Sequence, residues 1–318
     1  MQRIVFLDAD TFAPGVEPPQ PRFPHQWVNY PATAPDQVAA RAADADILIV
    51  NKVRIGAREL EALPKLKLVA LTATGFDNVD VAAARAKGVA VTNIRGYSVN
   101  AVPEHAFAMI LALSRSIFAY AEAVRAGRWQ AGGQFCFHDF PIFDLSGKRL
   151  GLIGSGSLGA RVAELGRAFG MDVVFAGRKN ASAPGAGRVG FDELLATSDV
   201  ISLHCPLNAE TENLLSDREF ALMTRKPLLI NTARGGIVDE EALERALDAG
   251  LVSGVGIDVT RPEPPPADSA IMRLARRANV LITPHVGWAS LETQRVLMDQ
   301  LGAALESFVA GGRMNRLD

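Results

Sequence analysis

Cysteine is scarce in this chain. Its 318 residues include two, Cys136 and Cys205, far apart and outside any metal-ligand spacing. A disulfide framework and a zinc ribbon are therefore not expected, and both thiols read as reduced cysteines of a cytoplasmic protein. Charge of one sign is missing too: 33 Lys and Arg stand against 35 acids, a formal net charge of -2. That near balance gives no support to a nucleic-acid or other polyanionic partner. Long apolar runs are absent. The run Ala106 to Leu113 is too short to span a bilayer. The opening MQRIVFLDAD has one Arg, a short apolar run and then acids, and reads as a first strand, not a secretory leader. The expectation is a cytoplasmic protein with no membrane partner. No repeat of 20–50 residues is present, and the one biased segment that stands out is RPEPPPADS.

What is there is apolar and alternating. Hydrophobic residues make up 48 %, enough for a substantial core, and the length fits two domains. In the first third, strands are expected at Arg3 to Leu7, Ile47 to Asn51, Leu68 to Leu71 and Val89 to Thr92. Helical stretches lie between them, around Pro35 to Ala43, Arg58 to Leu63 and Val79 to Lys87. A longer helical region runs from about Ala101 to Gly127, and an aromatic and Gly-rich loop, Trp129 to Asp144, follows it. A second series of strands reads as Arg149 to Ile153, Asp172 to Ala176, Val200 to His204, Leu228 to Thr232, Gly254 to Asp258 and Val280 to Thr283. Leu291 to Ala310 has amphipathic helical spacing. Strand–helix alternation predicts an α/β fold with parallel sheets covered on both faces.

GLIGSGSLG carries Gly154-x-Gly156-x-x-Gly159. The motif alone is weak. Between an apolar strand and a helix it is strong evidence for a dinucleotide-binding turn. Gly154 permits the tight turn, Gly156 lets the backbone approach a pyrophosphate, and Gly159 allows close helix–strand packing. The helix start then offers free N–H groups to the phosphates.

The second strand of such a unit usually ends in an Asp or Glu that holds the ribose hydroxyls. Here DVVFAGRKNAS ends in Gly177-Arg178-Lys179. An acid would repel a 2′-phosphate, whereas Arg would form charge-assisted hydrogen bonds to it. The chemistry favours NADP(H), with NAD(H) as the alternative in which Arg178 and Lys179 are a solvated pair.

Three later strands end in charge, at Arg234 in LLINTARG, Asp258 in VSGVGID and His285 in NVLITPH, and Glu263 follows Asp258 in the Pro-rich loop. Ligands of open parallel sheets bind beyond the carboxyl ends of the strands. A His beside a Glu, with an Arg at hand, makes a proton donor, its tuner and an anion clamp. Each residue also has an ordinary structural use, as a surface ion pair, a cap or a loop acid. His25, His105, His138 and His204 are weaker candidates.

These segments, together with ATGFDNVDVAAARAKGVAVTN, VPEHAFAMILAL, DVISLHCPLNAETENLL and GIDVTRPEP, resemble the D-isomer-specific 2-hydroxyacid dehydrogenases over almost the whole chain. The resemblance is greatest to the glycerate dehydrogenase and hydroxypyruvate or glyoxylate reductase branch. It implies two Rossmann-like or flavodoxin-like parallel-sheet domains with the active site in the cleft between them. Residues 1–100 with 286–318 would form a discontinuous substrate domain and 101–285 the dinucleotide-binding domain. It also implies a homodimer formed through the long helix after Ala101. His285 would protonate the carbonyl oxygen of a small 2-ketoacid as hydride arrives, Glu263 would hydrogen-bond His285, and Arg234 would bind the substrate carboxylate. Backbone N–H groups at Thr74 and Gly75 would assist there. Cofactor contacts would come from Gly154, Ser155, Gly156, Ser157, Leu158, Gly159, Gly177, Arg178, Lys179, Cys205, Pro206, Thr211, Thr232, Ala233 and Gly287, with Asp258 at the nicotinamide end. The Gly177-Arg178-Lys179 stretch departs from NAD-dependent members, which usually carry Asp. Substrate choice would rest on Thr74, Phe76, Val99, Trp288 and the loop Phe135–Phe137. Two other readings stay open: a dinucleotide-sensing corepressor-like protein, and a phosphoglycerate-type dehydrogenase of the same family.

Overall fold

Runs such as ILIV at Ile47–Val50 and LVAL at Leu68–Leu71 are buried at every position, as strands covered by helices on both faces must be. The computed structural model describes residues 1–317, which fall into two units. One is Met1–Tyr97 joined by the chain from Ala289 onward; the other is Ser98–Trp288.

The first unit holds β1 (Gln2–Phe6), β2 (His25–Asn29), β3 (Ile47–Val50), β4 (Leu68–Leu71) and β5 (Ala90–Thr92). Their order is β2-β1-β3-β4-β5, with every pairing parallel. The strand β2 was not expected from the sequence. HQWVN has no buried position, so an edge strand with little apolar patterning left no signal. The last helix, Leu291–Val309, lies against β4 and buries Leu297, Leu301 and Leu305 completely. Ser290 caps it by accepting the Thr293 N–H. Asp8, beyond β1, accepts N–H groups of Asn51, Lys52 and Val53 and so ties β1 to the end of β3. Burial pushes its carboxyl up, against the opposing effect of those N–H groups.

The second unit holds β6 (Arg149–Ile153), β7 (Asp172–Phe175), β8 (Val200–Leu203), β9 (Leu228–Asn231), β10 (Gly254–Ile257) and β11 (Val280–Ile282). The order β11-β10-β9-β8-β6-β7 is again wholly parallel. Side chains alternate across the sheet: Leu229 joins one apolar cluster, while Leu228 and Ile230 join the other. The chain runs from β6 out to β7, then crosses back to β8. That reversal is where open α/β sheets bind ligands.

The helical region expected from Ala101 to Gly127 is two helices, Ala101–Ser114 and Ile117–Arg125, bent by 57°. Ser116 takes φ 49°, the left-handed conformation that ends a helix. Its N–H donates to Leu113 O and its hydroxyl to Pro141 O. A short helix, Arg128–Gly132, opens what read as loop. Among the described residues no single helix is long and apolar enough to cross a membrane.

Candidate active site

The turn after β6 assigns each motif glycine a distinct task. A Cβ on Gly154, at φ 111°, would stand 2.4 Å from the His204 backbone. On Gly159 it would stand 2.2 Å from Gly154 O. Both positions are closed to any larger residue. A Cβ on Gly156 would meet nothing within 4 Å, so the backbone there lies open to a ligand. The helix Ser157–Ala168 starts from that point, with Ser155 and Ser157 exposed and Leu158 half-buried. Across the turn, burial pushes the Cys205 thiol up to about 11 and the His204 imidazole down to about 4. His204 Nε2 lies 2.8 Å from Ser202 Oγ, and its buried Nδ1 has no partner among the described residues. Thr211 donates its hydroxyl to Pro206 O at 2.6 Å, closing the turn after β8. Beyond β9, the Thr232 hydroxyl is buried with no partner among the described residues, next to half-buried Ala233. The open backbone at Gly156 and the orphan Thr232 oxygen, both at carboxyl ends of strands, fit a dinucleotide.

At the end of β7, a Cβ on Gly177 would lie 2.7 Å from Pro184 Cα and O. The missing acid thus has a steric reason as well as an electrostatic one, because the segment after Gly177 folds back onto it. Arg178 is exposed. Lys179 is directed elsewhere: its ammonium lies 2.9 Å from buried Glu219 and 3.1 Å from Leu214 O. Arg188 was not singled out in the sequence. It donates to Ala176 O at 2.9 Å and to Ser155 Oγ at 2.5 Å. The one sequence signal for it is the pair of Gly-Arg steps, Gly177-Arg178 and Gly187-Arg188.

The charged strand ends are held by their own loops. Asn231 clamps the turn after β9, donating to Arg234 O at 2.9 Å and accepting from Ala233 N at 3.1 Å. Arg234 Nη1 donates to Ala233 O at 2.7 Å. A Cβ on Gly235 would stand 2.2 Å from the Thr260 carbonyl carbon, so the turns after β9 and β10 touch backbone to backbone. Glu263, whose Oε1 accepts the Thr260 N–H at 3.1 Å, reaches His285 with its other oxygen: Oε2 lies 2.7 Å from Nδ1.

His285 sits at φ 55°, a conformation uncommon for non-glycine residues. Asp258, 3 % exposed, holds that turn. Its carboxylate accepts from Val286 N and Gly287 N, both at 2.9 Å, and from Thr283 Oγ1 at 2.5 Å. Thr283 gives its only proton to Asp258, so it accepts from His105 Nε2 at 2.9 Å, which places a hydrogen on that nitrogen. Trp288 Nε1 donates to His285 O at 3.0 Å. Asp258 and Gly287 therefore lock the His285 backbone, a connection the sequence did not reveal. Of the residues expected to act together, Glu263 and His285 are in direct contact. Arg234 follows β9, which β10 separates from β11. Thr74 and Gly75 belong to the other unit, where the Thr74 hydroxyl donates to Ile94 O at 2.7 Å.

Residues 107–287 match the family described as D-isomer specific 2-hydroxyacid dehydrogenase, NAD binding domain. A glycerate dehydrogenase of Methylorubrum extorquens is 44 % identical over 99 % of this chain and 98 % of its own length. A hydroxypyruvate reductase of Blautia hydrogenotrophica is 35 % identical over 88 % of this chain and 87 % of its own. The crystal structure of a glyoxylate reductase from Paecilomyes thermophila superposes with a TM-score of 0.83 at 28 % identity, covering 99 % of this chain and 98 % of that one.

Proposed function

This chain belongs to the D-isomer specific 2-hydroxyacid dehydrogenase family, and from that premise we propose that it reduces a small 2-ketoacid, hydroxypyruvate to D-glycerate or glyoxylate to glycolate, and catalyses the reverse. The observation that carries this reading is the 2.7 Å contact between Glu263 Oε2 and His285 Nδ1. A carboxylate only accepts, so Nδ1 carries hydrogen and Nε2 is left as the nitrogen that moves a proton. Nε2 delivers that proton to the carbonyl oxygen in reduction and removes it from the hydroxyl in oxidation. Glu263 orients the ring by accepting from Nδ1. Arg234 offers a planar fork to the substrate carboxylate. Asp258 keeps the His285 turn in place through Val286 and Gly287.

A nicotinamide dinucleotide, when bound, would supply hydride chemistry. Gly154, Gly156 and Gly159 would cradle its pyrophosphate, and Thr232 offers a hydroxyl without a partner among the described residues. NADP(H) is the preferred form in this reading, supported by the absence of any carboxylate from Val173 to Phe191 and by exposed Arg178. The test is stereochemical. Incubation with hydroxypyruvate and NADPH is expected to give D-glycerate; L-glycerate or a racemate overturns the stereochemical assignment, and no product from either hydroxypyruvate or glyoxylate with NADPH or NADH overturns the activity.

A further inference from the structure

We propose that Arg188 is a cofactor-specificity residue, the second cation of a pair with Arg178 that selects a dinucleotide bearing a 2′-phosphate. The inference rests on the NADP(H) reading above and names the residues that enforce it.

The geometry begins at β7. The segment after this strand leaves and returns at one place: Gly177 N donates to Val189 O at 2.8 Å, and Val189 N to Phe175 O at 2.9 Å. Arg178 and Arg188 thus stand at the two ends of a closed excursion, beside the carboxyl end of β7. Arg188 reaches back across that end. One Nη donates to Ala176 O and the other to Ser155 Oγ in the glycine turn. Its guanidinium therefore spans the ends of β6 and β7, where the adenosine ribose of a dinucleotide is held.

The charge balance points the same way. Among the described residues both partners of Arg188 are neutral oxygens, so they leave its charge uncompensated, and they use two of its five N–H groups. The segment has no acid of its own, and the nearest acid on each side is committed: Asp172 pairs with Arg149 at 2.7 Å and Asp192 with Arg218 at 2.6 Å. Lys179, the other cation of the segment, is held by Glu219, itself 3 % exposed. A planar guanidinium with free N–H groups and no carboxylate suits a phosphate dianion.

The test is equilibrium binding without turnover. Dissociation constants for 2′,5′-ADP, 5′-AMP, NADPH and NADH are measured by titration calorimetry on the full-length wild type, Arg188→Ala, Arg188→Lys and Arg178→Ala. Arg188→Ala is expected to weaken 2′,5′-ADP and NADPH by roughly tenfold or more and to leave 5′-AMP and NADH within about twofold. Arg188→Lys should recover part of the loss. Equal weakening of phosphorylated and unphosphorylated ligands, or none, overturns the role of Arg188 while a wild-type preference for 2′,5′-ADP still upholds the NADP(H) reading. A wild type that binds 2′,5′-ADP and 5′-AMP alike overturns both.

Discussion

His285 is placed by its neighbours more than by its own preference. Its φ of 55° persists because Asp258 takes two N–H groups of the following residues and Trp288 takes the His285 carbonyl. Gly287 makes this approach feasible: a Cβ there would lie 2.9 Å from Asp258 Oδ2 and 3.2 Å from His105 Cδ2. Gly287→Ala is expected to destabilise by roughly 1–3 kcal/mol through this overpacking. It should also lower kcat by about 10²-fold by displacing His285. Thermal unfolding and steady-state rates check the two effects. Half-buried His204, with its enclosed Nδ1, gives a pH prediction. Its imidazole is held down to about 4 from 6.5. As pH falls, the unfolded chain binds a proton that the folded one refuses. The contribution is complete above the unfolded value and lost on descent through 6.5 toward 4. It amounts to something on the order of 2 kcal/mol between pH 7 and pH 5. Denaturant unfolding at both pH values should show a larger loss for wild type than for His204→Asn; parallel losses contradict it.

Elements with strong patterns were legible in the sequence, and those set by partners were not. Buried strands such as β3 and β4 announce themselves because every residue is apolar. The edge strand β2 is defined only by pairing with β1, Ile4 opposite Trp27 among others. The bend at Ser116 is a backbone event stabilised by Pro141 O, and neither is visible in an Ala- and Leu-rich pattern. The same holds at the site. Glycine spacing and strand-end charge were enough to single out Gly154, Gly156, Gly159 and the residues Arg234, Glu263 and His285 as candidates. The closed excursion from Gly177 to Val189, which turns Lys179 away and brings Arg188 in, depends on a long-range return of the chain. Gly177→Asp is therefore a poor probe of cofactor choice, because its side chain would strike the Pro184 backbone. Arg178→Asp is the cleaner one, and the ratio of kcat/KM with NADPH to that with NADH should fall by about tenfold or more.

At the scale of the whole molecule, the chain builds one unit, completes the second, and returns to finish the first with the helix Leu291–Val309. That return makes the first unit depend on residues distant in sequence. Leu301 is fully buried in it, and Leu301→Ala is expected to cost about 2–5 kcal/mol, measured by denaturant unfolding. The proton relay proposed above, by contrast, lies in the second unit alone, which holds both Glu263 and His285. The most direct test of that claim follows NADPH oxidation by hydroxypyruvate in wild type and His285→Ala, with NADPH affinity measured in parallel. The account predicts turnover by wild type, a loss of roughly 10²–10⁴-fold in the variant, and unchanged NADPH binding. Equal rates in the two proteins, or no oxidation by wild type with hydroxypyruvate or glyoxylate, would contradict it.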